Sequence, residues 1–241
     1  MPALAVRGLS VGRLVRDVSL DLMGGECVGL AGLAGSGKEQ VADAIAGLLV
    51  PGAGEVVIAG ARLRPGDVAE ARKKGVGYVP RDRHARGIFP QLSVAENLTL
   101  TIVERLGRAG LISPRERDRQ ASRMIDALQI VTASTEQPIG ELSGGNQQKA
   151  VMGRALALEP KVLILVAPTQ GVDIASKAAL FAIIEKARAD GTAALIVSDD
   201  LDELVACDRV LVIFEGTLTT EFARGWQEKD LVAAIEGVQM E

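Results

Sequence analysis

Two short strings hold the residue types that bind phosphate. The first is Gly32-Leu33-Ala34-Gly35-Ser36-Gly37-Lys38, which follows an apolar run over 27–31 and precedes a helical pattern over 41–46. Strand, glycine-rich loop and helix, in that order, make the setting of a phosphate-binding loop. The glycines let backbone N–H groups curl around phosphate oxygens, and the helix N-terminus adds positive potential. Lys38 supplies a point charge for the outer phosphates, but the next residue, where a Ser or Thr hydroxyl would hold magnesium, is Glu39. A merely structural glycine turn is the alternative; a lysine in register speaks against it. The second string is Leu142-Ser143-Gly144-Gly145-Asn146-Gln147-Gln148-Lys149. It reads as a helix start with Ser143 as N-cap. Ser143, the amides of Gly144 and Gly145 and the helix N-terminus also make a second surface for phosphate.

The elements around these strings alternate between strand and helix. Residues 3–9 and 14–22 alternate apolar and polar side chains, as half-buried antiparallel strands do. Strands are also expected over 55–60 and 75–80, with a short helix over 68–74. From about residue 81 the chain turns to charged loop and amphipathic helix, with a capping box at Ser93 and Glu96 and a second helix after Ser113-Pro114. Continuous apolar runs over 162–166 and 193–197 suit buried parallel strands, and a strand with a hairpin turn follows at 210–216. Helices are expected over 178–189, 201–206 and 229–235.

Composition narrows the class. Hydrophobic residues make up 48% of the 241 residues and aromatics only 2%. That favours helices packed on buried parallel strands over base-stacking nucleic-acid modules. The net charge of −4 provides no basic field for nucleic acid. Cys27 and Cys207 lie in apolar runs and read as core residues, and the single histidine, His84, argues against a histidine metal site. The start Met1-Pro2-Ala3-Leu4 has no signal-peptide pattern and no apolar run reaches membrane-spanning length. The expectation is a cytosolic chain that reaches a membrane only by docking to another protein.

After the loop over 32–38 and before the run over 162–166, the string from Leu142 to Lys149 resembles the signature motif of ABC ATPases. The resemblance covers essentially the whole chain and is strongest to the ribose, galactose and xylose importer branch, in particular the second of two tandem nucleotide-binding domains. Carrying it are Tyr78-Val79-Pro80-Arg81-Asp82-Arg83 with Gly87, Ser93-Val94-Ala95-Glu96-Asn97-Leu98, the Asn146-Gln147-Gln148-Lys149 ending, and Pro168-Thr169-Gln170-Gly171-Val172-Asp173. It implies an α/β fold: a P-loop NTPase (RecA-like) core with an antiparallel β subdomain and an inserted α-helical subdomain. The whole of 1–241 would be one nucleotide-binding domain, its core over 1–81 and 151–241 and its helical subdomain at about 82–150.

The same resemblance implies ATP as cofactor, bound by Gly32, Gly35, Ser36, Gly37, Lys38 and Glu39. Leu142, Ser143, Gly144, Gly145, Asn146 and Gln147 would form the signature surface, Arg81 the Q-loop position and Asp173 the D-loop aspartate. The implied partners are a second ABC nucleotide-binding domain, joined head to tail so that each signature faces the other's nucleotide, and membrane permease subunits. A periplasmic sugar-binding protein follows indirectly, and nucleic acid does not. A permease helix would dock beside Arg81, Asp82, Arg83 and Arg86, which otherwise read as a solvated charge run. The chain would lie in the cytoplasm, peripheral on the inner face of the cell membrane.

Departures from the family pattern cluster on hydrolysis. Glu39 replaces the magnesium hydroxyl, Val166-Ala167 replaces the strand-end Asp-Glu, and Asp199 replaces the switch histidine. A positioned general base contributes about 10²–10⁴-fold, and Ala167 cannot act as one. Magnesium is held mostly by phosphates plus one or two protein groups, so these losses weaken it without forbidding it. Asp199 near a phosphate oxygen at ~4 Å, with an effective dielectric of ~20, costs about 4 kcal/mol. Glu39 also has a bland role, favouring the helix dipole from the first turn. No aromatic in 3–22 is available to stack on adenine, and Tyr78 and Trp226 read as packing residues. The expectation is weak ATP binding, no intact catalytic or metal set, and negligible turnover at this chain's own site. The alternative is a regulatory or scaffolding ABC-fold protein without nucleotide turnover. A chromosome-type ABC ATPase is disfavoured by the acidic balance and the lack of a long coiled-coil insertion.

Overall fold

A computed structural model describes residues 1–108 and 111–238. The chain opens with β1 (Leu4–Val11), β2 (Val15–Leu22), β3 (Cys27–Ala31), α1 (Lys38–Ile45), β4 (Ala53–Ile58), β5 (Ala61–Arg62), α2 (Val68–Lys73) and β6 (Val76–Val79). A tight helical turn, Arg83–Gly87, leads to α3 (Val94–Thr99), and a further turn, Leu100–Arg105, to β7 (Gly107–Arg108), β8 (Leu111–Ile112) and α4 (Pro114–Leu128). Next come α5 (Gly144–Leu156), β9 (Val162–Val166), α6 (Ile174–Ala189) and β10 (Ala193–Ser198). The chain closes with α7 (Leu201–Leu204), β11 (Arg209–Phe214), β12 (Thr217–Ala223) and α8 (Glu228–Ile235).

Two compact units emerge. One comprises residues 1–78, 161–167 and 185–241, the other 79–160 and 168–184. The first unit is built on a four-stranded sheet, ordered β2-β1-β4-β5, and a six-stranded sheet, ordered β12-β11-β3-β10-β9-β6. In the larger sheet β3 runs parallel to β10 and β11, and β10 parallel to β9. Every residue of β3, β9 and β10 is buried, which explains their unbroken apolar sequences. β2 is antiparallel to β1 and alternates buried and more exposed residues over 18–22, the period-two pattern of a strand wetted on one face, after the consecutive exposed pair Arg16 and Asp17.

The second unit is helical. α3 packs against α4 and α5. Its capping box is formed: Ser93 Oγ accepts the Glu96 amide at 3.1 Å, and the Glu96 carboxylate accepts the Ser93 amide at 2.8 Å. α4 starts at Pro114 behind a Ser113 cap. Among the described residues β7 and β8 pair only with each other, so this unit lends neither of them to the larger sheets.

Candidate functional site

Strand register brings three loops to one edge of the six-stranded sheet. Ala31, last in β3, pairs with Ser198, last in β10, and Val197 pairs with Val166, last in β9. The chain therefore leaves adjacent parallel strands into Gly32, Asp199 and Ala167. In open α/β sheets ligands bind beyond the carboxyl ends of the strands.

The loop from Gly32 ends on α1, whose N-cap is Gly37 and whose first turn has no side-chain cap. Gly37 has φ +102°, and a Cβ there would lie 2.3 Å from the Leu14 carbonyl oxygen, so conformation and close approach both demand glycine. Lys38 is 2% exposed and donates to the carbonyls of Gly32 at 2.8 Å and Leu33 at 3.0 Å. Ser36 Oγ is buried without a hydrogen-bond partner. Buried hydroxyls are nearly always paired, so an orphaned one beside uncapped helix amides and a lysine fits a phosphate group. Gly35 is open to its surroundings, and Glu39 sits half-buried in the first turn of α1.

The neighbouring strand ends differ in kind. Val166 and Ala167 are buried and apolar, so the end of β9 offers no ligand to a cation. Ala167 adopts φ +44° while its amide donates to Val197 at 2.9 Å. For a residue with a Cβ, that left-handed conformation costs about 1–2 kcal/mol. Asp199 is exposed; the Asp200 amide beside it donates to Ser198 Oγ at 3.0 Å. Among the described residues no group of three or more His, Cys, Asp or Glu is arranged to hold a metal ion. Tyr78 packs against the core and donates to Asp43 at 2.5 Å, the packing part expected of it.

In the second unit, Ser143 stands at the N-cap of the 13-residue α5 but makes no side-chain cap. Its Oγ accepts instead from the Asn146 side-chain amide at 2.9 Å, because Asn146 turns back over the helix start and also accepts the Val131 amide at 2.9 Å. The first-turn amides of α5 are left without that hydroxyl. Leu142 is buried, and Gln147 fastens the preceding turn by donating to the Leu142 carbonyl at 3.0 Å. Gln148 donates to the Pro168 carbonyl at 2.7 Å, which ties α5 to the loop before α6. Asp173 caps α6, accepting the Ser176 amide at 3.0 Å and its hydroxyl at 2.7 Å. The Ser176 amide, then its hydroxyl, hold the Asp173 carboxyl below the usual aspartate range.

Arg81 and Arg83 both turn to that loop. Arg81 Nε donates to the Gln170 side chain at 3.2 Å. Arg83 donates to the Gln170 carbonyl at 3.0 Å, the Gly171 carbonyl at 3.4 Å and the Gln147 side chain at 3.4 Å. Within its charged stretch, half-exposed Arg83 is therefore held by hydrogen bonds to this loop and to α5. Sequence reasoning named Arg83 in that charged stretch but not these bonds, because its acceptors lie 64 to 88 positions away and leave no local pattern.

Residues 15–170 match the sequence model of the family described as ABC transporter. The chain belongs to the ABC transporter family. Among relatives of this ABC chain is the ribose import ATP-binding protein RbsA of Corynebacterium glutamicum, 42% identical over 234 residues that make up 96% of this chain and 45% of that protein. Another, from Agrobacterium fabrum, is a putative ribose/galactose/methyl galactoside import ATP-binding protein, 43% identical over 97% of this chain and 47% of its own length. The chain thus spans about half the length of these curated relatives. The dimeric post-hydrolysis state of the ATP-binding cassette MJ0796, bound to ADP and Pi, superposes with a TM-score of 0.80 at 24% identity, covering 92% of this chain and 100% of that one. A nucleotide-free ATP-binding cassette from an ABC transporter gives 0.80 at 21% identity and full coverage of both chains. Those likenesses establish the fold, the α/β P-loop NTPase cassette that the sequence resemblance implied.

Proposed function

We propose that this ABC chain is the nucleotide-binding domain of a sugar importer whose own phosphate-binding pocket is hydrolytically impaired and whose signature surface serves a partner's nucleotide. On this reading 1–241 is one domain, with its core over 1–81 and 151–241 and its helical subdomain at about 82–150. Gly32, Gly35, Ser36, Gly37 and Lys38 hold ATP weakly, with Glu39 in place of the magnesium hydroxyl and no firm site for Mg²⁺. Leu142 to Gln147 and Asp173 face the nucleotide of a second ABC domain, head to tail. Arg81 stands at the Q-loop position, and the domain sits on the cytoplasmic face of the membrane against permease subunits fed by a periplasmic sugar-binding protein. Sugar as the cargo rests on the names of relatives that this chain matches over half their length. No helix among the described residues is long and apolar enough to cross a membrane.

The observation that carries the impaired pocket is the sheet edge where Gly32, Ala167 and Asp199 leave adjacent strands. The glycine-rich loop there keeps Lys38 and the unpaired Ser36 hydroxyl, while the positions read as polarising water hold an alanine, a valine and an exposed aspartate. Turnover of ATP by the chain alone is expected at least ~10²-fold below that of a domain with its general base. A rate typical of transport ATPases, abolished by Lys38→Ala, overturns the reading. Titration with an ATP analogue is expected to show weak binding that magnesium barely changes. In the assembled transporter Ser143→Arg is expected to suppress hydrolysis, and an unaltered rate rejects the role in trans.

A further inference from the structure

We infer that Arg83 is a positioning residue that clamps the start of α5 to the loop over 168–173, so that the signature surface and Asp173 move as one body. Its main chain is pinned first. The Asp82 carboxylate accepts the amides of His84 at 2.9 Å and Ala85 at 3.0 Å, and the Arg83 carbonyl accepts the Ile88 amide at 2.7 Å. The guanidinium is thereby aimed at two targets. Two of its nitrogens reach the carbonyls of Gln170 and Gly171, and Nε reaches Gln147 on α5. A planar fork with fixed donor directions serves three acceptors at once, which an ammonium on a flexible stem does not.

The glycines of α5 fit this clamp. A Cβ on Gly144 would stand 2.8 Å from Arg83 Nη2, so a side chain there would press the guanidinium away from the helix end. A Cβ on Gly145 would meet Ser176 Oγ at 2.2 Å, on the far side of the same junction, where Asp173 holds Ser176. Gly144 and Gly145 thus serve the packing of this junction. The consequence is that displacing the loop over 168–173 displaces the α5 N-terminus with it, and Arg83 transmits the shift. The purpose given to this clamp, orienting the surface that faces a partner's nucleotide, rests on the function proposed above; the clamp itself does not.

The test separates the two. Amide hydrogen exchange of the full chain is compared for wild type and Arg83→Lys, which keeps the charge and loses the fork. Exchange is expected to rise about tenfold in peptides covering both 144–150 and 168–176, with α4 unchanged as internal control. Unchanged exchange in either segment overturns the clamp. Should Arg83→Lys fail to fold, Gly144→Ala pushes the guanidinium away and is expected to give the same pattern; unchanged exchange again overturns it. Where both variants fold, the double variant should exchange no faster than either single one, whereas additive effects refute the coupling. In the assembled transporter Arg83→Lys is expected to lower kcat about tenfold at unchanged KM for ATP. If Ser143→Arg suppresses turnover there and Arg83→Lys does not, the positioning role fails. If Ser143→Arg itself has no effect, the proposed function fails, and the exchange result still decides the clamp.

Discussion

Lys38 turns its ammonium back onto the carbonyl oxygen of Gly32, 2.8 Å away, and closes the glycine-rich loop with its own cation. The bond is charge-assisted and buried, and removing the side chain takes that donor from the Gly32 carbonyl, while the Leu33 carbonyl keeps the Ser36 amide at 3.1 Å. Lys38→Ala is therefore expected to lower the stability of the nucleotide-free chain by about 1–3 kcal/mol, read as a shift in urea midpoint. An unchanged midpoint would show that the loop does not rest on its lysine. The same geometry means that an incoming phosphate competes with two carbonyls for the ammonium, which adds to the weak binding proposed for this pocket.

Ala167 carries a left-handed backbone at the end of β9. Glycine removes the strain of about 1–2 kcal/mol, while its freer unfolded chain costs about 0.5–1 kcal/mol. Ala167→Gly is expected to leave stability unchanged or raise it by up to about 1.5 kcal/mol, measured by thermal unfolding. A loss of that size instead would mean the positive φ is not held in the folded protein.

Asp82 and Asp173 anchor the two ends of the Arg83 clamp, and backbone amides hold both carboxyls below their ordinary value of 3.8. A depressed folded-state pKa contributes stability that is present above the unfolded value and is lost as pH falls through the lower, folded one. The penalty of Asp173→Asn relative to wild type is thus expected to be full at pH 7 and to shrink as the pH is taken below 3.8. Exchange at 168–176, followed with pH in both proteins, checks this. A penalty that grows on acidification would contradict the capping assignment.

Cys27 and Cys207 are both buried, with sulfurs 3.7 Å apart. Contact with the Cys27 thiol and burial raise the Cys207 pKa far above that of a free thiol, so the nucleophilic thiolate is suppressed. The folded chain is expected to resist iodoacetamide at neutral pH and to take up two labels per chain once denatured, as counted by mass spectrometry. Labelling of the folded chain at the rate of an exposed thiol would refute the arrangement.

Local order was legible wherever one segment carries its own cause. The apolar runs at 162–166 and 193–197 announced buried parallel strands, and Ser93 with Glu96 announced a capping box, because both patterns repeat or close within a few residues. Ser143 shows where such reading stops. Its position at the helix start was evident, but its hydroxyl goes to the Asn146 side chain rather than to a backbone amide. Two local hydrogen bonds compete there, and sequence alone does not rank them.

By itself the sequence determined the residue inventory: a glycine-rich loop ending in Lys38-Glu39, the string at 142–149, and Val166, Ala167 and Asp199 at the positions proposed above for hydrolysis chemistry. Side-chain identity is a property of the chain, so no fold is needed to read it. Adjacency and direction were decided only by the tertiary structure. Strand register set Gly32, Asp199 and Ala167 on one sheet edge. Contacts made 87 and 88 positions along the chain turned Arg83 inward onto Gln170 and Gly171. Register and long-range hydrogen bonds depend on segments far apart in sequence meeting in space, and no period or spacing within either segment encodes that meeting.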